Sequence, residues 1–204
     1  MKALLIVDIQ NDFLPEGALA VPQGDQIIAV INRLQEHFPL VVATQDWHPA
    51  DHSSFASSHA GRKAFEHIQL LGMDQVLWPD HCVQGSFGAA LHESLSTDAV
   101  EAIFRKGMDA WIDSYSAFFD NGHQKSTGLA DYLKGKGVTE VYISGLAADF
   151  CVAYSALDAL DSGFQTWVIE DATRPIDPAG FARMKENLLS RGCHFIHSAE
   201  IHAW

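Results

Sequence analysis

Short apolar runs alternate along the chain with stretches of helical periodicity. Ala3–Val7, Leu40–Gln45, Val100–Arg105, Glu140–Ser144, Thr166–Glu170 and Cys193–His197 read as strands. Between them, Asp25–Phe38 repeats Ile27, Ile28, Val30, Ile31 and Leu34 at helical spacing. Further helices are predicted at Phe87–Leu95, Leu129–Lys134, Asp149–Leu160 and Phe181–Leu189, three of them followed by glycine stops at Gly135, Gly163 and Gly192. Strands alternating with helices predict βα units, and hence an α/β fold: a three-layer α/β/α, doubly wound, six-stranded, mainly parallel sheet. At 204 residues the chain fits one domain spanning 1–204. The periodicity dissolves from Asp46 to about Gly85, far longer than a usual βα connection. Trp47, Phe55, Phe65, Leu70, Leu71 and Trp78 give this excursion apolar anchors, so it is expected to be an ordered lid or site-building segment.

The strands end at reactive side chains. Ala3–Val7 stops at Asp8, Leu40–Gln45 at Asp46, Val100–Arg105 at Lys106, and the fourth strand shortly before Cys151. In an open parallel sheet the carboxyl ends of the strands line one edge, and ligands bind in the crevice outside it. These four residues are therefore expected to meet. Charge and length narrow the partners: a formal charge of −13, spread along the chain, repels phosphate backbones and anionic lipid, so neither nucleic acid nor membrane is expected. No run approaches the roughly 18 apolar residues of a membrane span, and a cytoplasmic location is expected. Three cysteines, Cys82, Cys151 and Cys193, form no even framework and no CxxC pair, as suits a reducing compartment.

Cys151 falls two residues past Asp149 in the expected first helical turn, where unpaired N–H groups and the helix dipole favour a thiolate. Lys106 supplies a neighbouring cation and Asp8 a group to take and return the proton. Singly, each has a plainer reading: buried cysteines are mostly inert, Asp8 suits a cap and Lys106 a solvated surface. The plain reading stands for Cys82 and Cys193; the joint placement at strand ends lifts Asp8, Lys106 and Cys151 above it. Asp46, His48, His52 and His81 form a second group, a carboxylate and three imidazoles that suit zinc, iron or manganese with positions left open for water or substrate. With 11 histidines in the chain some clustering arises by chance, and a metal that merely staples the excursion is the rival to a catalytic one.

With these residues in view, the chain resembles the nicotinamidase branch of the isochorismatase-like cysteine hydrolases over nearly its whole length. Leu4–Leu19 (LLIVDIQNDFLPEGAL) is similar to the family's opening strand and loop, which implies Asp8 as the base and Phe13 as a substrate-facing aromatic. Thr44–Phe55 (TQDWHPADHSSF) resembles the metal segment, with Asp46, His48 and His52 as ligands, and Trp78–Gly85 (WPDHCVQG) adds His81 as ligand and Trp78 as a stacking ring. Phe104–Asn121 carries the family lysine as Lys106 and a pocket aromatic as Tyr115. Ser144–Val152 (SGLAADFCV) is similar to the nucleophile loop; the resemblance implies a cis peptide between Leu146 and Ala147 and an oxyanion hole from the N–H groups of Ala147 and Cys151. One departure is Ala148, where relatives commonly carry threonine; a loop hydroxyl is lost while the backbone donors remain.

The resemblance implies hydrolysis of nicotinamide to nicotinic acid and ammonia through a thioester on Cys151, in NAD salvage. The implied cofactor is one divalent metal ion, zinc foremost, with iron or manganese also suited. The implied partner is a small pyridine carboxamide, with a homo-oligomer left open because no interface is marked. The nearest alternatives are an N-carbamoyl or other small-carboxamide hydrolase of the same fold; an isochorismatase-type activity is disfavoured because a dianionic substrate wants basic pocket groups. More distant are a hydrolase in which metal-bound hydroxide attacks and Cys151 is incidental, and a thiol or metal sensor without turnover.

Overall fold

The computed structural model describes residues 1–202. Six strands, β1 (Lys2–Val7), β2 (Val41–Asp46), β5 (Val100–Lys106), β6 (Glu140–Leu146), β7 (Gln165–Arg174) and β8 (His194–Ile196), form one sheet. The order is β5-β2-β1-β6-β7-β8, with every neighbouring pair parallel. β1 lies in the middle, with Leu4 opposite both Val41 and Tyr142, and it is apolar at every buried position because both faces are covered. Leu4 and Ile6 face a layer containing α1 (Ile28–Leu34). Ala3, Leu5 and Val7 face α2 (Leu129–Gly135), α3 (Ala153–Asp161) and, through Leu188, α4 (Pro178–Ser190). α4 begins on an Asp177 cap that accepts from the Ala179 and Gly180 N–H groups, with Pro178 in the first turn.

Three segments differ from expectation. The first helix is α-helical only at Ile28–Leu34, with tight 3₁₀ turns at Gly24–Ile27 and Gln35–His37. A single π turn, Ala148–Val152, precedes α3 and contains Cys151. Phe87–Leu95 forms no helix. Its carbonyls are captured by other parts of the fold: Gly88 O and Ala90 O accept from the Asp12 and Asn11 N–H groups, and Ala89 O accepts from the side-chain amides of Gln10 and Gln45. A carbonyl spent on a distant donor is lost to the helical ladder.

The excursion is ordered. It holds a 3₁₀ turn at Ala56–Ser58 and an antiparallel hairpin of β3 (His67–Leu70) and β4 (Met73–Val76). Leu71 and Gly72, both at positive φ, make the two-residue turn between the strands. The fully buried Phe55 and a bridge to Trp78 anchor the base of the excursion.

The β1–β6 seam depends on Gly145. Its φ is +112°, and a Cβ there would lie 2.0 Å from the Val7 carbonyl oxygen. Gly145→Ala is therefore expected to cost about 2–4 kcal/mol of folding stability, measured by urea unfolding. A loss below about 0.5 kcal/mol would show that the seam yields without strain.

Candidate active site

Asp8 follows β1, Asp46 ends β2 and Lys106 ends β5, with Asp46 and Lys106 in register. The Lys106 ammonium is the meeting point. Its Nζ lies 2.9 Å from Asp8 Oδ2, 3.1 Å from Asp46 Oδ1, 3.0 Å from the Ser114 carbonyl oxygen and 3.5 Å from Cys151 Sγ. All of these side chains are buried. Burial opposes the charge on Lys106, but Asp46 and Asp8 outweigh it and hold the ammonium well above its ordinary pKa.

The two carboxylates diverge. Burial also works against the Asp46 charge, but His48 and Lys106 hold its carboxyl well below the usual range. At Asp8 burial prevails over Lys106, and its pKa is raised. Thr44 Oγ1 donates to Asp8 Oδ1 at 2.7 Å and fixes the carboxylate in place. Burial pushes the Cys151 thiol well up, with Lys106 opposing. The arrangement is thus a protonated thiol, a carboxylate with raised proton affinity and a permanent cation: the parts of a nucleophile that is activated by transfer of its own proton. Cys82 and Cys193, both buried with raised pKa values, the latter to about 12, pack as small apolar groups.

The metal-ligand candidates divide into two sets. Asp46, His48 and His81 offer ligand atoms that all lie within 4.8 Å of one another, with His48 Nε2 3.1 Å and His81 Nε2 3.6 Å from Asp46 Oδ2. Nδ1 of His48 donates to Gly107 O at 2.9 Å and Nδ1 of His81 to Pro79 O at 2.8 Å, assignments that leave both Nε2 atoms as inward-facing lone pairs. One oxygen and two imidazole nitrogens, buried and converging, fit a divalent ion with open positions. Gly107 is required beside them, since a Cβ there would lie 2.4 Å from His48 Cε1. His52 sits apart: it forms a set with His48 and Asp113, and its Nδ1 meets the Ser54 hydroxyl at 2.7 Å.

The cleft above the cluster is lined by Phe13, Asp46, Trp78, His81, Tyr115, Ala147 and Cys151, so it gathers residues from every motif of the chain. Phe13 packs on His81, with ring centroids 5.5 Å apart, whereas Trp78 and Tyr115 meet Phe150 edge-on at 4.9 and 5.4 Å. The Leu146–Ala147 peptide is cis. Leu19, Asp113, Phe150 and Ile176 also line the cleft and were not singled out from sequence. Two signals pointed to them. Ile176 follows the carboxyl end of β7, the rule that located Asp8, Asp46 and Lys106, and Asp113 stands two residues before Tyr115 in the segment after β5. Asp149 joins Ile176 to the nucleophile loop by accepting from the Ile176 and Asp177 N–H groups at 3.0 and 2.8 Å.

Comparison with known proteins places this geometry in context. The isochorismatase domain model matches residues 2–200. A nicotinamidase of Acinetobacter baylyi is 49% identical over 200 residues, covering 98% of this chain and 94% of that protein. The structure of an Acinetobacter baumannii nicotinamidase/pyrazinamidase superposes with a TM-score of 0.97 at 47% identity, covering 98% of each chain. A Pyrococcus horikoshii pyrazinamidase solved in complex with zinc superposes with a TM-score of 0.78 at 38% identity, covering 96% of this chain and 98% of that one. With a family model matched from end to end and a cluster of strand-end residues beneath one cleft, the chain belongs to the isochorismatase family of hydrolases.

Proposed function

We propose that the chain hydrolyses nicotinamide to nicotinate and ammonia, an amidohydrolase reaction on a linear amide that serves NAD salvage, with Cys151 as nucleophile. The observation that carries this reading is the contact of one buried ammonium with Cys151 Sγ, Asp8 and Asp46, which joins thiol, base and metal ligands in a single unit. The likeness to nicotinamidases supports the choice of substrate. No helix among the described residues is long and apolar enough to cross a membrane.

In the reaction Asp8 takes the thiol proton as Sγ bonds to the carboxamide carbon. Lys106 holds the developing thiolate and the Asp8 carboxylate together. The N–H groups of Ala147 and Cys151 receive the oxyanion. Asp8 then gives its proton to the amide nitrogen, the C–N bond breaks, ammonia leaves and a thioester remains. A water molecule loses a proton to Asp8 and adds to the thioester carbon; the C–S bond breaks and Asp8 returns the proton to sulfur. Phe13, Trp78 and Tyr115 flank the ring. Asp46, His48 and His81 would hold a divalent ion, with zinc favoured by the likeness to a zinc-bound pyrazinamidase, and the ion would supply a Lewis-acid anchor for the pyridine nitrogen.

Ammonia release from nicotinamide tests the assignment. Cys151→Ala is expected to release none, and Asp8→Asn to lose about 10²–10⁴-fold in kcat; undiminished turnover by Cys151→Ala would remove the thiol from the mechanism. Zinc titration by calorimetry tests the ligand set without activity. Asp46→Ala and His81→Ala are expected to abolish the site, and His52→Ala to weaken it by about tenfold; abolition by His52→Ala would make it a ligand in its own right.

The buried charges also predict a pH dependence of folding. The Lys106 pKa is raised, so its ion pairs stabilise the fold fully below about pH 10.5 and fade as pH rises through the higher folded value. In Lys106→Met the Asp8 carboxylate keeps the burial that raises its pKa and loses the ammonium that opposes it. The penalty of the substitution is expected to be about 3–5 kcal/mol at pH 7.5 and to shrink toward pH 5 as Asp8 takes up a proton. Urea midpoints of the metal-free protein at the two values measure this, and an equal penalty at both would contradict it.

A further inference from the structure

Gln75 is out of place on its hairpin. β3 and β4 are largely exposed or half-exposed, yet Gln75 is only 4% exposed. A buried carboxamide is costly unless its hydrogen bonds are made. Gln75 Nε2 has three acceptors: Val76 O at 2.7 Å, Asp113 Oδ2 at 3.0 Å and the Tyr115 hydroxyl at 3.1 Å. Asp113 and Tyr115 both line the cleft. The residue between them, Ser114, gives its carbonyl to Lys106 Nζ. Within the segment Tyr115 N–H donates to Asn121 Oδ1 and Asn121 N–H to the Asp113 carbonyl. Tyr115 also meets the Trp78 ring of the excursion edge-on at 6.1 Å, and Gln75 adds hydrogen bonds from the hairpin to both Asp113 and Tyr115.

Resting on the amidase reading above, we infer that Gln75 is a positioning residue for substrate selection, a strut by which the β3–β4 hairpin sets the Asp113–Tyr115 wall of the cleft. The two N–H groups of one amide are shared among Val76 O, the Asp113 carboxylate and the Tyr115 phenol, which keeps the last two at one separation. The wall is thereby matched to a flat ring between Tyr115, Phe150 and Trp78. The strut touches the cleft wall directly and meets the nucleophile and base only through the Ser114 carbonyl on Lys106, so its loss falls first on binding. Removing the amide also leaves the buried Asp113 Oδ2 without its donor, which drives the segment to rearrange.

The test compares wild type, Gln75→Met and a control on the outer face of the same hairpin, His67→Ala. Ammonia release from nicotinamide is followed, and amide hydrogen exchange is measured across residues 113–121 and in β1 and β6. Gln75→Met is expected to raise KM about tenfold or more with kcat held within about threefold, and to speed exchange at 113–121 while β1 and β6 stay protected. The control is expected to change neither. An unaltered KM, or a kcat that falls with KM unmoved, would overturn the inference, as would unchanged exchange at 113–121. Loss of protection in β1 and β6 as well would show general unfolding and also count against it. If wild type released no ammonia, the amidase reading alone would fall, and the exchange data would still decide whether Gln75 sets the wall.

Discussion

The fold is organised around a buried ammonium. Lys106 is almost never a residue type found without water unless it is paired, and here two carboxylates, a backbone carbonyl and a thiol surround it. Each partner comes from a different part of the chain, so the charge is satisfied only when β1, β2, β5 and the loop after β6 are all in place. The desolvation cost of three ionisable groups makes the cluster a poor source of stability. Its effect is chemical: His48 and Lys106 together hold the Asp46 carboxyl well below the usual range, while burial raises the pKa of Asp8.

Backbone carbonyls complete the arrangement. Gly107 O and Pro79 O take the Nδ1 protons of His48 and His81, and in doing so turn both Nε2 lone pairs toward Asp46. Orientation of the imidazoles therefore depends on backbone carbonyls as well as on the ligand side chains themselves. The same logic extends to the pocket walls. Asp149 fastens the nucleophile loop to Ile176, and Gln75 fastens the hairpin to Asp113 and Tyr115. Asp46 and Lys106 end strands, Asp8 and Cys151 lie in the turns just past strand ends, and the cleft walls lie on segments held by buried polar side chains.

Local pattern located what short range controls and missed what long range decides. The central strands β1, β2 and β6 were legible because their apolar runs reflect burial on both faces, and four of the runs ended at or near a residue that reaches the sheet edge. Phe87–Leu95 has helical spacing, but its carbonyls accept from Gln10, Asn11, Asp12 and Gln45, donors that no local window contains. The β3–β4 hairpin gave a weak signal because its strands are short and mostly solvated, and Leu71–Gly72 is its one turn cue.

From sequence alone come the parallel α/β sheet, the edge at which chemistry would gather, and Asp8, Asp46, Lys106 and Cys151 as candidates at that edge, because residue type and strand termination are local properties. Tertiary structure alone decided that one ammonium would touch thiol and both carboxylates, that His52 would lie beside His48 and Asp113, and that Gln75 would brace the cleft. Those outcomes depend on distances of a few ångströms between segments remote in the chain. Such distances are set by how the layers pack, which no single segment encodes.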